Sequence, residues 1–225
     1  MIRLIPRLAA LLALGGCAAA GIAGDPITRT FQWGDVMAGN DIRRSCGPGA
    51  PERWRFIYNG IYSEQVRVYE IEAGGLETRI FDRPNLAHLG TIEFDQFMRG
   101  AAARTPLTQA DLRRIVGVWE NDLHRAVRPG DHLRSDRFFW TTAGCRDGRF
   151  VVAAFNYPAD ASTPFAFPGE LARLDRSGRP FNAPRPIARD VGVLADFKPN
   201  RHDSSSAEGA RFLLKVTEDG IKQGY

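Results

Sequence analysis

Residues 53–82, RWRFIYNGIYSEQVRVYEIEAGGLETRIFD, decide the fold. Trp54, Phe56 and Tyr58 alternate with Arg53, Arg55 and Ile57. This is the two-residue period of a β-strand, whose successive side chains leave opposite faces. Asn59-Gly60 is a dipeptide that favours hairpin turns. The following run, about Tyr62 to Glu72, sets Val66 and Val68 on one side and Arg67, Tyr69 and Ile71 on the other, before Gly74-Gly75 turns the chain into Leu76 to Asp82. Three strands joined by tight turns make an antiparallel meander.

Outward from the meander, TPLTQADLRRIVGVWENDLHR (105–125) predicts a helix over 106–126. Leu112, Ile115, Val116, Trp119 and Leu123 recur at spacings of three and four and form one apolar stripe. Either Thr105 with Pro106 or Thr108 with Asp111 can start it. Pro129-Gly130 ends it. A second hairpin is expected from about Ser135 to Thr142 and Arg149 to Tyr157, turning at Cys145-Arg146-Asp147-Gly148. Its second strand is apolar on both sides, with Phe150, Val152 and Ala154 on one face and Val151, Ala153 and Phe155 on the other, which predicts a central strand covered twice.

The remaining segments carry turn chemistry. Residues 31–52 mix aromatic side chains with glycine and proline and read as irregular, held down by Cys46. Prolines at 158, 164, 168, 180, 184 and 186 favour loops and short edge pieces, with a small hairpin expected around Leu171 to Gly178. A loop is expected from about Pro84 to Gly100, an exposed one over NRHDSSSAEG (200–209), and a last strand over Ala210 to Thr217. The expectation is an α+β fold, an antiparallel β-sheet of five or more strands (meander plus hairpin) covered by one main helix, as a single domain over 31–225.

The N-terminal residues locate the chain. Arg3 and Arg7 precede an apolar run, Leu8 to Leu14, and small residues lead to Cys17. This is the layout of a secretory signal peptide, and the run is far short of the ~20 residues needed to span a bilayer. Leu14-Gly15-Gly16-Cys17 resembles the lipobox of bacterial lipoproteins. The resemblance covers residues 1 to about 18. It implies a signal peptide over 1–16, an acylated Cys17 as the new N-terminus, and a lipidated tether over 17–30. In that family an aspartate after the cysteine marks inner-membrane retention. Ala18 stands there in this chain, which implies a lipid anchor in the cell outer membrane, with the domain facing the periplasm.

With Cys17 acylated, Cys46 and Cys145 are an even pair in an oxidising compartment, and a disulfide between them is expected. Two arginines leave with the leader, taking the formal net charge from +4 to +2. The basic residues that remain are interleaved with acids rather than gathered in a stripe, which argues against nucleic acid as a partner. Hydrophobic content of 44% with 25% charged residues is that of a folded chain.

No close His or Cys spacing for a metal, no GxSxG elbow, no SxxK pair and no phosphate-binding glycine loop occurs. Thr142-Ala143-Gly144-Cys145-Arg146 is slightly similar to the Ser-His-Gly-Cys-x-Arg motif of the L,D-transpeptidases, periplasmic enzymes that cross-link peptidoglycan. That resemblance implies a thiolate nucleophile at Cys145. It departs at Ala143, where the motif has histidine, and in an arginine one position early. A disulfide at Cys145 excludes it.

Tyr58, Tyr62, Arg67 and Tyr69 lie on neighbouring strands and offer a binding surface, since tyrosine and arginine are enriched at interfaces. The alternative is that the aromatics pack a sheet while Glu64, Arg67 and Glu70 make ion pairs. No cofactor and no catalytic residue is assigned. The sequence favours a noncatalytic envelope lipoprotein that binds a protein partner or cell-wall component. The alternatives are a periplasmic enzyme acting on cell-wall material and a carrier or sensor of a small apolar ligand.

Overall fold

The computed structural model describes residues 33–62, 64–82, 100–158, 164–187 and 212–224. The leader, Cys17, the tether, and the loops expected over 84–99 and 200–209 lie outside the described residues. Two short helices come first, α1 (Trp33–Ala38) and α2 (Asn40–Ser45). The meander follows as β1 (Arg53–Gly60), β2 (Gln65–Glu72) and β3 (Gly75–Asp82), then β4 (Ala101–Pro106). Helix α3 (Gln109–Asp122) runs into a single 3₁₀ turn at Leu123–Arg125. Then come β5 (His132–Arg134), β6 (Phe138–Arg146), β7 (Arg149–Asn156), α4 (Phe167–Leu174), β8 (Leu213–Thr217) and β9 (Gly220–Gln223).

The main sheet is six-stranded and antiparallel in the order β4-β3-β2-β1-β6-β7, and a three-stranded sheet is ordered β5-β8-β9. The fold is therefore α+β, with the meander and the hairpin joined through β1 and β6. Because β1 is central and covered on both faces, alternation separates two chemistries rather than core from solvent. On the first face Trp54, Phe56, Tyr58, Tyr69 and Trp140 pack against Ile115, Val116 and Trp119 of α3 and Phe167 and Leu171 of α4. On the second face Ile57, Val66, Val68 and Phe139 pack against Val36 and Met37 of α1 and Leu133, Leu214 and Ile221 of the small sheet.

Of the two starts the sequence offers, helix α3 takes Thr108 with Asp111 and so begins at Gln109 rather than at 106, Pro106 being the last residue of β4. The Thr108 hydroxyl accepts from the Asp111 amide, while the Asp111 carboxylate accepts from the Thr108 amide. Its stripe seats Trp119 edge-on against Trp54, with ring centres 5.0 Å apart, and the Trp119 indole donates to Thr142 Oγ1 at 2.9 Å. That bond meets the need of a buried indole N–H for an acceptor. Leu123 falls beyond the last α-helical turn and is exposed, so the stripe ends at Trp119.

Several expectations are corrected. Residues 31–52 contain α1 and α2 instead of irregular chain throughout. Helices of six residues cannot persist alone, so packing against β6 and β9 determines them and the local turn residues do not. The expected piece at Leu171 to Gly178 is the end of α4 followed by a turn, because Phe167, Leu171 and Leu174 bury one helical face. Asp122 accepts from the amides of Ala166 and Phe167 at 2.6 and 3.2 Å and satisfies the start of that helix.

Strand β7 is an edge strand, not a central one. Both of its faces are nonetheless packed as expected, Val151, Ala153 and Phe155 on one core cluster and Val152 and Ala154 on the other, and the open ladder edge is met at Ala154 by the Val127 amide. Asn59 and Gly60 end β1 and do not form the turn, which follows at Ile61 and Tyr62. The Asn59 side chain instead donates to the carbonyls of Ser135 and Arg137. The last strand is a hairpin, β8 with β9.

Gly144 faces Trp54 across the β1–β6 ladder, and a Cβ placed there would lie 2.4 Å from the indole. The Gly144→Ala variant is expected to lose about 1–3 kcal/mol through overpacking. Thermal unfolding checks this, as a fall of roughly 2–4 °C per kcal/mol.

Candidate functional site

One end of the second sheet face is charged. The strand register aligns Arg55, Glu70, Glu77 and Arg104 as a row across β1 to β4. Arg53 and Glu72 form the adjacent row. These positions alternate with the aromatic residues of the opposite face, so the pleat that builds the core also lines up the charges.

Arg55 is the buried anchor at 1% exposure. Its guanidinium donates to both oxygens of Asp41, at 2.7 and 3.0 Å, and to Glu70 Oε1 at 2.6 and 2.9 Å. A further bond reaches the Val36 carbonyl at 3.2 Å. The arrangement uses the fork geometry of arginine, which a lysine could not reproduce. Arg53 Nη2 lies 3.3 Å from Asp41 and 3.6 Å from Glu70, and its Nε lies 3.7 Å from Glu72. Glu77 is shared between Arg79 at 2.5 Å and Arg104 at 2.7 Å.

Above these rows lies a cleft of about 670 Å³, closed at one end by the β2–β3 turn. That turn places Ala73 at φ 49° and Gly74 at φ 76°, the left-handed conformation at both central residues that a tight hairpin requires. Arg104 and Glu72 are the solvent-facing charges of the lining, with 81% and 59% of their side chains exposed. The cleft can hydrogen-bond and ion-pair with a polar ligand that carries both signs of charge. Among the described residues no three His, Cys, Asp or Glu side chains converge to hold a metal ion.

Cys46 and Cys145 form a disulfide with their Cα atoms 5.5 Å apart, joining the end of α2 to β6 beside Arg53. The bond consumes the Cys145 sulfur, so the transpeptidase resemblance has no thiolate to act through.

The binding surface offered by Tyr58, Tyr62, Arg67 and Tyr69 is not assembled, and the alternative holds, with Tyr58 and Tyr69 packed in the core and Glu64, Arg67 and Glu70 in ion pairs. Tyr58, Arg67 and Tyr69 share the first face and are 0–2% exposed. Tyr62 lies in the turn after β1 and packs against Trp33 and Phe212 on the second-face side. The three buried residues are covered by residues 175–187, which cross them without regular secondary structure. Arg67 donates to Asp175 at 2.7 Å and to the carbonyls of Arg179 and Pro180 at 2.7 and 2.5 Å. The Tyr69 hydroxyl donates to Asp175, and the Tyr58 hydroxyl donates to the Asn182 carbonyl at 2.6 Å. Burial pushes both phenols well above the usual tyrosine range.

Gln65 completes this contact. Its amide donates to the Pro180 carbonyl and its oxygen accepts from the Asn182 amide. The Asn182 side chain donates to the Gly60 carbonyl and to Glu64, and Arg185 donates to both Glu64 oxygens at 2.7 Å. Phe181 stacks on Tyr58 with ring centres 4.6 Å apart. No pattern in the sequence marks this segment as a cover for Arg67 and the two tyrosines. The recurring prolines at 180, 184 and 186 favour loops and short edge pieces, but no local feature says what the chain lies on.

Burial works to raise the Asp41 pKa, but the hydrogen bond from Arg55 and the charges of Arg55 and Arg53 outweigh it and hold the carboxyl below its ordinary 3.8. A depressed pKa contributes stability that is present above the unfolded value and is lost as pH falls through the folded one. The Asp41→Asn variant is therefore expected to be less stable by about 2 kcal/mol at pH 7. Its deficit relative to the unaltered protein should shrink as pH drops below about 4, read from denaturant midpoints across that range. Comparison with known proteins finds no matching family model, no matching curated sequence and no matching solved structure.

Proposed function

We propose that the chain is an envelope lipoprotein, anchored in the outer membrane through acylated Cys17, whose domain faces the periplasm and binds a protein partner or cell-wall component without catalysing a reaction. The observation that carries this is the disposition of the cysteines. The chain has three, and Cys46 and Cys145 close on each other, so the odd one is the cysteine of the lipobox-like stretch. A disulfide persists in an oxidising compartment, which agrees with export.

The anchor has a physical logic. Each buried CH₂ of an acyl chain contributes ~0.8 kcal/mol, and one chain alone holds only reversibly, so stable attachment needs a second signal such as another chain. The tether would then leave the domain free to meet its partner. The charged cleft supports a polar partner, because its exposed Arg104 and Glu72 stand over a fixed network of ion pairs. The space between α3, α4 and the sheet, where an apolar ligand would otherwise sit, is packed with aromatic rings.

Metabolic labelling with an alkynyl palmitate tests the anchor. The label should be incorporated by the unaltered chain and lost completely in Cys17→Ala, which should also leave the membrane fraction. Incorporation that survives the substitution would remove the proposal. In-cell cross-linking of the lipidated chain beside the same variant then identifies what the domain holds.

A further inference from the structure

We infer that the groove on the first sheet face is a peptide-binding site, occupied in this chain by its own residues 179–185, and that it takes an extended, proline-containing segment of a partner protein in their place. The inference deepens the partner-binding part of the function proposed above and rests on it, by giving the partner a chemistry.

Three observations point there. First, the covering segment is held through its main chain. The carbonyls of Arg179, Pro180 and Asn182 and the Asn182 amide are all met by side chains of β1 and β2, and no strand ladder is formed. A proline offers a carbonyl and no amide donor, so a proline-bearing chain suits a groove rich in donors. Second, the groove contains Arg67, 2% exposed, and Gln65, 5% exposed. Emptied, it would leave a guanidinium with carbonyl bonds unmade, a cost that any occupant of the same chemistry removes. Third, Phe181 lies against both Tyr58 and Arg67, with the guanidinium carbon 5.1 Å from the centre of its ring, yet remains 36% exposed. Prolines pre-set an extended chain and reduce the entropy lost on docking against aromatic walls, the economy of proline-rich peptide recognition.

Residues 179–185 sit mostly at the surface while holding the groove. Exchange therefore swaps one set of carbonyls for another and leaves the core in place. The covering segment competes as an intramolecular ligand at an effective concentration of the order of mM, so a free peptide must exceed that to enter the unaltered protein.

The probe is a fluorescein-labelled synthetic peptide of residues 178–187, GRPFNAPRPI, followed by anisotropy. The double variant Phe181→Ala, Asn182→Ala weakens the covering segment and leaves the groove intact. It is expected to bind the peptide at least about 10-fold more tightly than the unaltered protein does. A peptide carrying the same two alanines should not bind it. A variant that keeps its near-ultraviolet dichroism and binds neither peptide, or both equally, overturns the inference. Should the variant lose that signal, hydrogen exchange of the unaltered protein decides. At several mM peptide the amides of residues 181–183 and 185 should exchange faster, and unchanged exchange overturns it. Palmitate labelling at Cys17 reads the anchor alone, so the anchor and the groove can fail separately.

Discussion

A guanidinium buried in the middle of a sheet constrains the arrangement around it. Arg55 sits on the central strand β1 at 1% exposure, where an unpaired charge would cost several kcal/mol. Glu70 on β2 and Asp41 on α2 supply the opposite charges, and the Val36 carbonyl of α1 takes a further bond. One side chain thus ties the two N-terminal helices to the sheet and sets where β2 must lie. The disulfide from Cys46 to Cys145 closes the same corner covalently, and on the chain-entropy model a loop of about a hundred residues contributes roughly 3–5 kcal/mol.

The two faces of the sheet divide the work. The first is aromatic, and its ring pairs from Trp54 to Phe167 meet edge-on, tilted or stacked at the separations such rings favour. The second is apolar, mixed aliphatic and aromatic, at one end and charged at the other. A charged row this close to the core tolerates little substitution at its buried members, while its exposed members, Arg104 and Glu72, can change partners at small cost. Stability therefore depends on the buried members of these rows far more than on the exposed ones.

Much of this was legible in the residues. The alternation in 53–82 located three strands and assigned each side chain to its face, because period two is a property of the extended backbone itself. The helix register from Leu112 to Trp119 was equally local, whereas the pairing of Cys46 with Cys145, 99 residues apart, was expected from cysteine number and compartment. Less was legible of the sites. Tyr58, Arg67 and Tyr69 were named as a surface and are interior, since a tyrosine on a strand looks the same in sequence whether or not a distant segment covers it.

By itself, then, the sequence determined what neighbours in the chain can determine: strand and helix periods and the turn at Gly74. Tertiary structure decided the rest. It placed β7 at the edge and β1 at the centre, since strand order depends on pairings about eighty residues apart. It made helices of Trp33–Ala38 and Asn40–Ser45, which are too short to hold their own backbone bonds without a surface to pack on. It also laid the proline-bearing segment over Arg67, whose donors sit more than a hundred residues from the carbonyls they bind.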